Sequence, residues 1–591
     1  MPDPFIASIH ELDFSPRSAP FPSPADWRDQ VLYELMVDRF DDHRIDPPPA
    51  TSKTPHMAGP VDPANGLCFQ GGTLKGIARR LDYLKEMGVT AVWISPPFKQ
   101  VPGQESSYHG YAAQDFLSVD PHFGTTKDLQ FLVRQAHKRG MYVIMDIVID
   151  HTGDVWAYPN DAELRYQDGR RHDFGYWRRA DPVSDPLTPR SPFGPDDAVW
   201  PLELQTPDAF RRKGRMNDPG RTEDGEATDA DFGALKDLDL ANRDVLDTMI
   251  AIYKYWIAVA DVDGFRIDAL RHVRPDPARL FVHAIREYCL SIGKKNFLLF
   301  GEIASGSKES FRYIGLNTPL PHEAESHYPQ LDAVLDFDLY QPLDDVLKGR
   351  KPAAAVRTWF EFLDRYFRDF GQAGKCFVTF LENHDQNLHH FHRFLYDAPD
   401  PRLALLGSAF LLTSLGIPCL YYGTEQGFNG GGDKDVFVRE AMFGGPPDTP
   451  TAWGAFRTVG HHFFNPTHPL YRGIALVARL RRENPALRYG RQYFREISGD
   501  GHRFGHAEHA PCTLAWSRIL DTTEIVIALN LSPDARTDSI TVDPTLTPPG
   551  TTLLNLYHPE QTTTAYTAPD GRTAVRLTLP PYMLAILSKS N

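Results

Sequence analysis

The chain has 591 residues, 41% apolar and 24% charged, an ordinary globular balance that excludes a fibrous or disordered protein. Its formal net charge of −15, from 77 acidic and 62 basic residues, speaks against a nucleic-acid partner, whose binding needs a positive surface to displace counterions. The length exceeds what one hydrophobic core supports, so one large domain with one or two smaller ones is expected.

The N-terminus, MPDPFIASIHELDFSPRSAP, has no basic stretch followed by an apolar one, so the expectation is a cytoplasmic enzyme without a leader. Residues 1–26 are Pro-rich and read as an arm on the surface. From residue 27 a repeating alternation begins. Short apolar runs bounded by turn residues read as buried parallel strands at 31–36, 91–94, 142–147, 264–267, 297–301, 333–335, 376–380 and 418–421. Segments of helical period lie between them, at 74–85, 129–137, 245–259, 278–290 and 403–415. Eight strands alternating with helices is the count of a (β/α)8 TIM barrel, an α/β fold. A doubly wound open sheet is the competing pattern, and strand number and length favour the barrel.

The alternation breaks at 152–235, a stretch rich in Asp, Arg, Pro and Gly. So long a segment is not one loop, and it reads as an irregular subdomain inserted after the third strand. The barrel is expected at 27–151 and 236–480. Beyond it, at 481–591, short runs such as EIVIALNLS and TAVRLTLP predict an antiparallel β-sandwich domain. No apolar run reaches the roughly 18 residues that span a bilayer, so no membrane partner is expected. Cys68, Cys289, Cys376, Cys419 and Cys512 are scattered, odd in number and without a CxxC pair, so reduced, mostly buried thiols are expected. The sequence sets no oligomeric state.

In a barrel of this kind, chemistry sits at the C-terminal ends of the strands. The third strand leads into Asp146, Asp150 and His151. The fourth carries Arg266 and Asp268, with Arg271 and His272 just beyond. The fifth ends at Glu302, and the seventh at Asn383, His384 and Asp385. One Asp after a strand is often a helix cap. Four charged strand ends converging on one barrel mouth point to a site.

These four segments resemble the conserved regions of the α-amylase family of glycoside hydrolases. GVTAVWISPPF, YHGYAAQDF, LKDLDLANRDV and GIPCLYYGTEQG resemble further family segments, so the resemblance covers about residues 27 to 475. It implies Asp268 as nucleophile, Glu302 as general acid/base and Asp385 as the third carboxylate, holding hydroxyls of a distorted sugar ring. In a retaining enzyme the first two act through a covalent glycosyl-enzyme. Arg266, two residues before Asp268 on a strand, points the same way and should keep it ionised. Glu302 must start protonated, so its pKa should be raised. The resemblance further implies that His151 and His384 bind sugar hydroxyls, that Tyr111 stacks on the sugar, and that Arg271 and His272 face the leaving-group side.

The resemblance calls for no organic cofactor and brings one metal, Ca²⁺, on Asp150, Asp237 and the backbone of His272, an oxygen set of the kind calcium takes. Position 150 is commonly Asn in the family, and some branches bind no metal. The expected activity is hydrolysis of α-glucosidic bonds, α-1,4 in maltooligosaccharides or related α-glucans. An α-glucosyl or glucan transferase or isomerase, including the trehalose-forming type, would use the same residues. A non-catalytic relative would have lost the three carboxylates, and all three are present.

Overall fold

Eight apolar segments become the strands β1 Leu32–Leu35, β2 Ala91–Ile94, β3 Tyr142–Ile147, β4 Gly264–Ile267, β5 Leu298–Gly301, β6 Ala333–Leu335, β7 Phe377–Phe380 and β8 Ile417–Tyr421. In the computed structural model they close into an all-parallel barrel in sequential order, β8 pairing with β1. The structure describes residues 3–43, 66–180, 193–218, 224–304, 307–315, 330–367, 370–385, 391–443 and 463–590. The barrel expectation holds, with strand bounds within a residue of those read from the sequence.

Side chains alternate across each strand. Leu32, Ala91, Trp93, Ile144, Leu298, Phe300, Leu335, Phe380 and Cys419 form one cluster inside the barrel. Their neighbours Tyr33, Val92, Val143, Phe265, Leu299 and Val334 belong instead to the larger cluster shared with the helices. Each fully buried side chain of this size contributes roughly 2 kcal/mol from removal from water. The two-residue period then carries inward-facing Leu32 up to Glu34, Ile144 to Asp146, Gly264 to Arg266 and Phe300 to Glu302. Polar groups therefore cap the apolar filling at the C-terminal end.

The surrounding helices include α1 Leu74–Met87, α2 Thr126–Lys138, α3 Arg243–Ala260, α4 Pro275–Ser291, α5 Phe337–Leu347, α6 Ala354–Tyr366, α7 Leu403–Thr413 and α8 Pro469–Glu483. Local chemistry sets their ends. The Thr73 side chain accepts from Gly76 N at the start of α1, and Gly88 ends it at φ 103°, a left-handed value that favours glycine. Thr125 and Asp128 form a reciprocal cap at the start of α2.

The inserted segment leaves after β3 as His151–Thr152 and returns as Lys236–Asp237, and these two short strands pair antiparallel. Between them Trp156–Ala157 pairs with Tyr176–Trp177, and Trp156 packs against Tyr158, Phe174 and Phe210. The N-terminal arm touches both units. Ala7 O accepts from Leu202 N at 2.8 Å in the insert, and Phe21 stacks on His137 of α2 at 4.1 Å.

Helix continues past the position where the sequence changes character, through α8 and Pro485–Tyr489. The antiparallel sheet starts at Arg491–Phe494 and has nine strands. Its two halves enclose Ala515, Val526, Ala528, Ile540, Ala565, Val575, Leu577 and Leu587. Among the described residues no helix is long and apolar enough to cross a membrane.

Candidate active site

Arg266 organises the mouth of the barrel. It lies on β4 in register with Asp146 on β3 and Phe300 on β5, and its side chain is buried. Its Nη1 donates to Asp268 Oδ1 at 2.6 Å and to Asp146 Oδ1 at 3.0 Å. Its Nη2 donates to Glu302 Oε2 at 2.6 Å. One planar fork thus fixes three carboxylates on three adjacent strands, a geometry suited to guanidinium and not to ammonium.

Asp268 and Glu302 extend β4 and β5 by hydrogen bonds to the neighbouring strands: Asp268 N to Ile147 O at 2.9 Å and Glu302 N to Ile267 O at 3.0 Å. Ala269 follows at φ 47°, a left-handed conformation that costs a non-glycine residue roughly 1 kcal/mol. That turn aims Ala269 N at Glu302 Oε2, 3.1 Å away. Two donors therefore hold Oε2. Likewise Arg266 holds Asp268 through Oδ1.

Burial raises the pKa of both carboxyls. In Asp268 desolvation outweighs Arg266 and His151 and pushes it up to about 6. Arg266 lowers the pKa, in the direction expected of a cation beside it, but desolvation is the larger effect. The neighbouring charges of Asp146 and Asp150 add to that desolvation, and burial pushes Asp146 itself up to about 6. Glu302 is also raised, by desolvation first and then by the charges of Asp268 and Asp385 against Arg266.

Asp385 sits at the end of β7, its side chain 43% exposed. Arg439 Nη2 donates to its Oδ1 at 2.7 Å, and His384 Nε2 lies 3.1 Å from its Oδ2. Desolvation works against its charge, but His384 and Arg439 outweigh it and hold the carboxyl well below the usual range.

His384 is itself pushed up to about 10 against its own desolvation by Asp385 and by Glu34, whose Oε1 is 2.6 Å from Nδ1. The imidazolium directs the polar chain. Nε2 lies 2.8 Å from the Tyr111 hydroxyl, which in turn donates to Asp146 Oδ2 at 2.8 Å. Trp93 Nε1 donates to the same oxygen at 3.1 Å. Tyr111 lies alongside His384, ring centroids 5.3 Å apart, and alongside His109 at 5.7 Å. His151 takes its place through Nδ1 to Asp150 Oδ1 at 2.8 Å and Nε2 to Tyr111 O at 3.0 Å.

The structure thus brings Asp268, Glu302, Asp385, Arg266, His151, His384 and Tyr111 into one mouth. Arg271 and His272 stand on the turn Leu270–His272 beyond it. Arg271 Nη1 donates to Ala304 O at 3.2 Å, and His272 Nδ1 lies 2.7 Å from Ala227 O of the insert. Phe232 packs edge-on against His272 and is half exposed. Asp150 precedes the first of the insert's two entry strands and Asp237 ends the second, where it is ion-paired with Arg211 at 2.8 Å. Sequence reasoning missed the supporting groups Glu34, Trp93 and Arg439. Inward parity on β1 and β2 could have found the first two. Arg439 lies in a loop with no periodic signal.

A family model described as the catalytic domain of alpha amylase matches residues 35–490. An alpha-amylase of Streptomyces lividans is 33% identical over 476 residues, covering 73% of this chain and 48% of that protein. A cyclomaltodextrin glucanotransferase of Geobacillus stearothermophilus is 29% identical over 506 residues, covering 80% and 56%. The chain spans about half the length of these curated relatives. The crystal structure of the alpha-amylase from Geobacillus thermoleovorans complexed with acarbose superposes at a TM-score of 0.67 and 25% identity, over 96% of this chain and 100% of that one.

Proposed function

Because the chain belongs to the alpha-amylase family, we propose that it is a retaining glycosidase that cleaves α-1,4-glucosidic bonds of maltooligosaccharides or related α-glucans. The observation that carries this reading is the Arg266 fork, which holds Asp268 through Oδ1 and Glu302 through Oε2 and leaves the other oxygen of each outside the fork.

Asp268 Oδ2 attacks the anomeric carbon while Glu302 Oε1 delivers its proton to the leaving oxygen. The bond to the leaving sugar breaks as the bond to Asp268 forms. Glu302, now ionised, takes a proton from the acceptor hydroxyl, which displaces Asp268 and restores both groups. Asp385, kept anionic by His384 and Arg439, takes hydroxyls of the sugar ring and favours its oxocarbenium-like form. His151 and His384 bind further hydroxyls, and Tyr111 offers its ring to the sugar at the cleaved bond. Arg271 and His272, on the turn facing the insert, serve the leaving-group side.

The acceptor decides the outcome. Water gives hydrolysis and a sugar hydroxyl gives transfer. The similarity to a cyclomaltodextrin glucanotransferase supports transfer as a second reading. The five cysteines, all free, support action in a reducing, cytoplasmic setting. The test is product analysis on maltose, maltotriose, isomaltose, trehalose, sucrose and starch. Shorter α-1,4 products support the hydrolase, products longer than the substrate support transfer, and an α,α-1,1 product supports isomerisation. No turnover of any α-glucan would overturn the proposal.

A further inference from the structure

The resemblance puts calcium where β3, the insert and the turn after β4 meet. The residues there do not fit a divalent ion. Arg211, on the insert and buried, stands in ion-pair contact with Asp237, Nε 2.8 Å from an Oδ2 that accepts no aligned hydrogen bond, and donates through Nη1 to Asp229 Oδ1 at 2.6 Å. Asp229 is also held by Arg274 Nη2 at 2.7 Å, two residues past His272. Asp150, the remaining carboxylate of the expected set, has its Oδ1 2.8 Å from His151 Nδ1. The backbone locks the same junction. Arg211 N donates to Asp237 O at 3.1 Å, and Leu238 N donates to Asp150 O at 2.7 Å.

A calcium ion needs six to eight oxygens at about 2.3–2.6 Å. With a guanidinium this close to Asp237, such an ion would face a fixed like charge at near contact, in a buried setting where screening is weak. Among the described residues, the His, Cys, Asp and Glu atoms close enough to share an ion are those of Asp150, His151 and Asp268. That set leaves out Asp237 and takes in the proposed nucleophile, whose charge the reaction needs.

The geometry points to Arg211 as a resident cation that stands in the place of a divalent metal and ties the insert to the barrel. Its relay Asp237–Arg211–Asp229–Arg274 reaches the insert's return strand, the insert body and the turn after β4, the regions a metal would join. Guanidinium suits the position because it is weakly hydrated and forks between two carboxylates. Removing Arg211 should free carboxylates that can take calcium instead.

The test is thermal unfolding of the purified full chain in EDTA, in metal-free buffer and in millimolar CaCl2, with calorimetric titration of Ca²⁺ alongside. The native protein is expected to melt within about 1 °C under all three conditions and to bind no calcium stoichiometrically. Arg211→Ser is expected to melt several degrees lower and to regain stability in CaCl2. Arg211→Lys should remain insensitive to metal. A native Tm that drops in EDTA and returns with calcium, or one tightly bound Ca²⁺ per chain, would overturn the proposal. So would an Arg211→Ser protein as stable as the native one, or one destabilised but unresponsive to calcium. If Arg211→Ser does not fold, the native protein's response decides alone.

Discussion

Arg439 donates to Asp385 Oδ1 across 2.7 Å and so ties the loop after β8 to the end of β7. The same side chain donates through Nε to His384 O at 2.9 Å and pairs with Asp435 at 2.8 Å. Asp385 is the most exposed of the three carboxylates, so this pair sets position more than stability.

Arg439→Gln is therefore expected to lower kcat/KM on a maltooligosaccharide by about 10–100-fold, through misplacement of Asp385. Because Asp385 acts on the distorted ring, kcat should fall more than KM rises. Arg439→Lys keeps the charge and should recover part of the loss. Steady-state kinetics of the three proteins checks this, and an unchanged kcat/KM in Arg439→Gln would remove Arg439 from the account.

Asp268→Asn and Glu302→Gln should each lower kcat by at least about 10³-fold, since in the proposed mechanism each removes a group that makes or breaks a bond. Both amides keep the volume of the carboxyl, so circular dichroism should be unchanged. The two differ on an activated glycosyl fluoride, which needs no proton on its leaving group. Glu302→Gln should retain its first step there and Asp268→Asn should not. Equal loss on that substrate would contradict the assignment of roles.

The pH profile follows from the same carboxyls. Asp268 must be ionised to attack, and burial pushes it up to about 6, so kcat/KM should fall as pH drops through about 6 and not near 4. Glu302 must be protonated, so the alkaline limb reports its loss of the proton. The two groups interact through Arg266, so the limbs belong to the pair. A flat rate down to pH 4.5 would show that Asp268 is not raised.

Much of this arrangement could be read from the sequence because it repeats. Eight apolar runs such as AVWI and YVIMDI give strands, and a charged residue two places after an inward one must face the barrel mouth. That parity places Arg266, Asp268 and Glu302 without any contact being known. The insert and the late loops carry no such period. The Arg211–Asp237 and Arg439–Asp385 pairs span 26 and 54 residues of sequence and form only when the chain is folded. The left-handed turn at Ala269 was equally hidden, because alanine gives no conformational signal.

A separate prediction concerns stability. Glu425, after β8, is buried, and its Oε1 accepts from Tyr33 at 3.0 Å and Tyr83 at 2.9 Å. Desolvation pushes it up to about 7, above its ordinary carboxylate value. The folded state then holds this proton more tightly than the unfolded state. The stabilisation is complete below the unfolded pKa and is lost as pH rises through about 7. Glu425→Gln keeps the acceptor oxygen and cannot ionise. Its Tm should exceed the native value at pH 8.5 and approach it at pH 5. A Tm difference that does not change with pH would refute the raised pKa.

The central claim is that Asp268 forms the covalent bond. The most direct measurement is mass spectrometry of the protein after reaction with a 5-fluoro-α-glucosyl fluoride, whose glycosyl-enzyme turns over slowly. One added fluoroglucosyl unit is expected, carried by the peptide that contains Asp268 and accumulating further in Glu302→Gln. An adduct on another carboxylate, or turnover with inversion and no adduct, would contradict it.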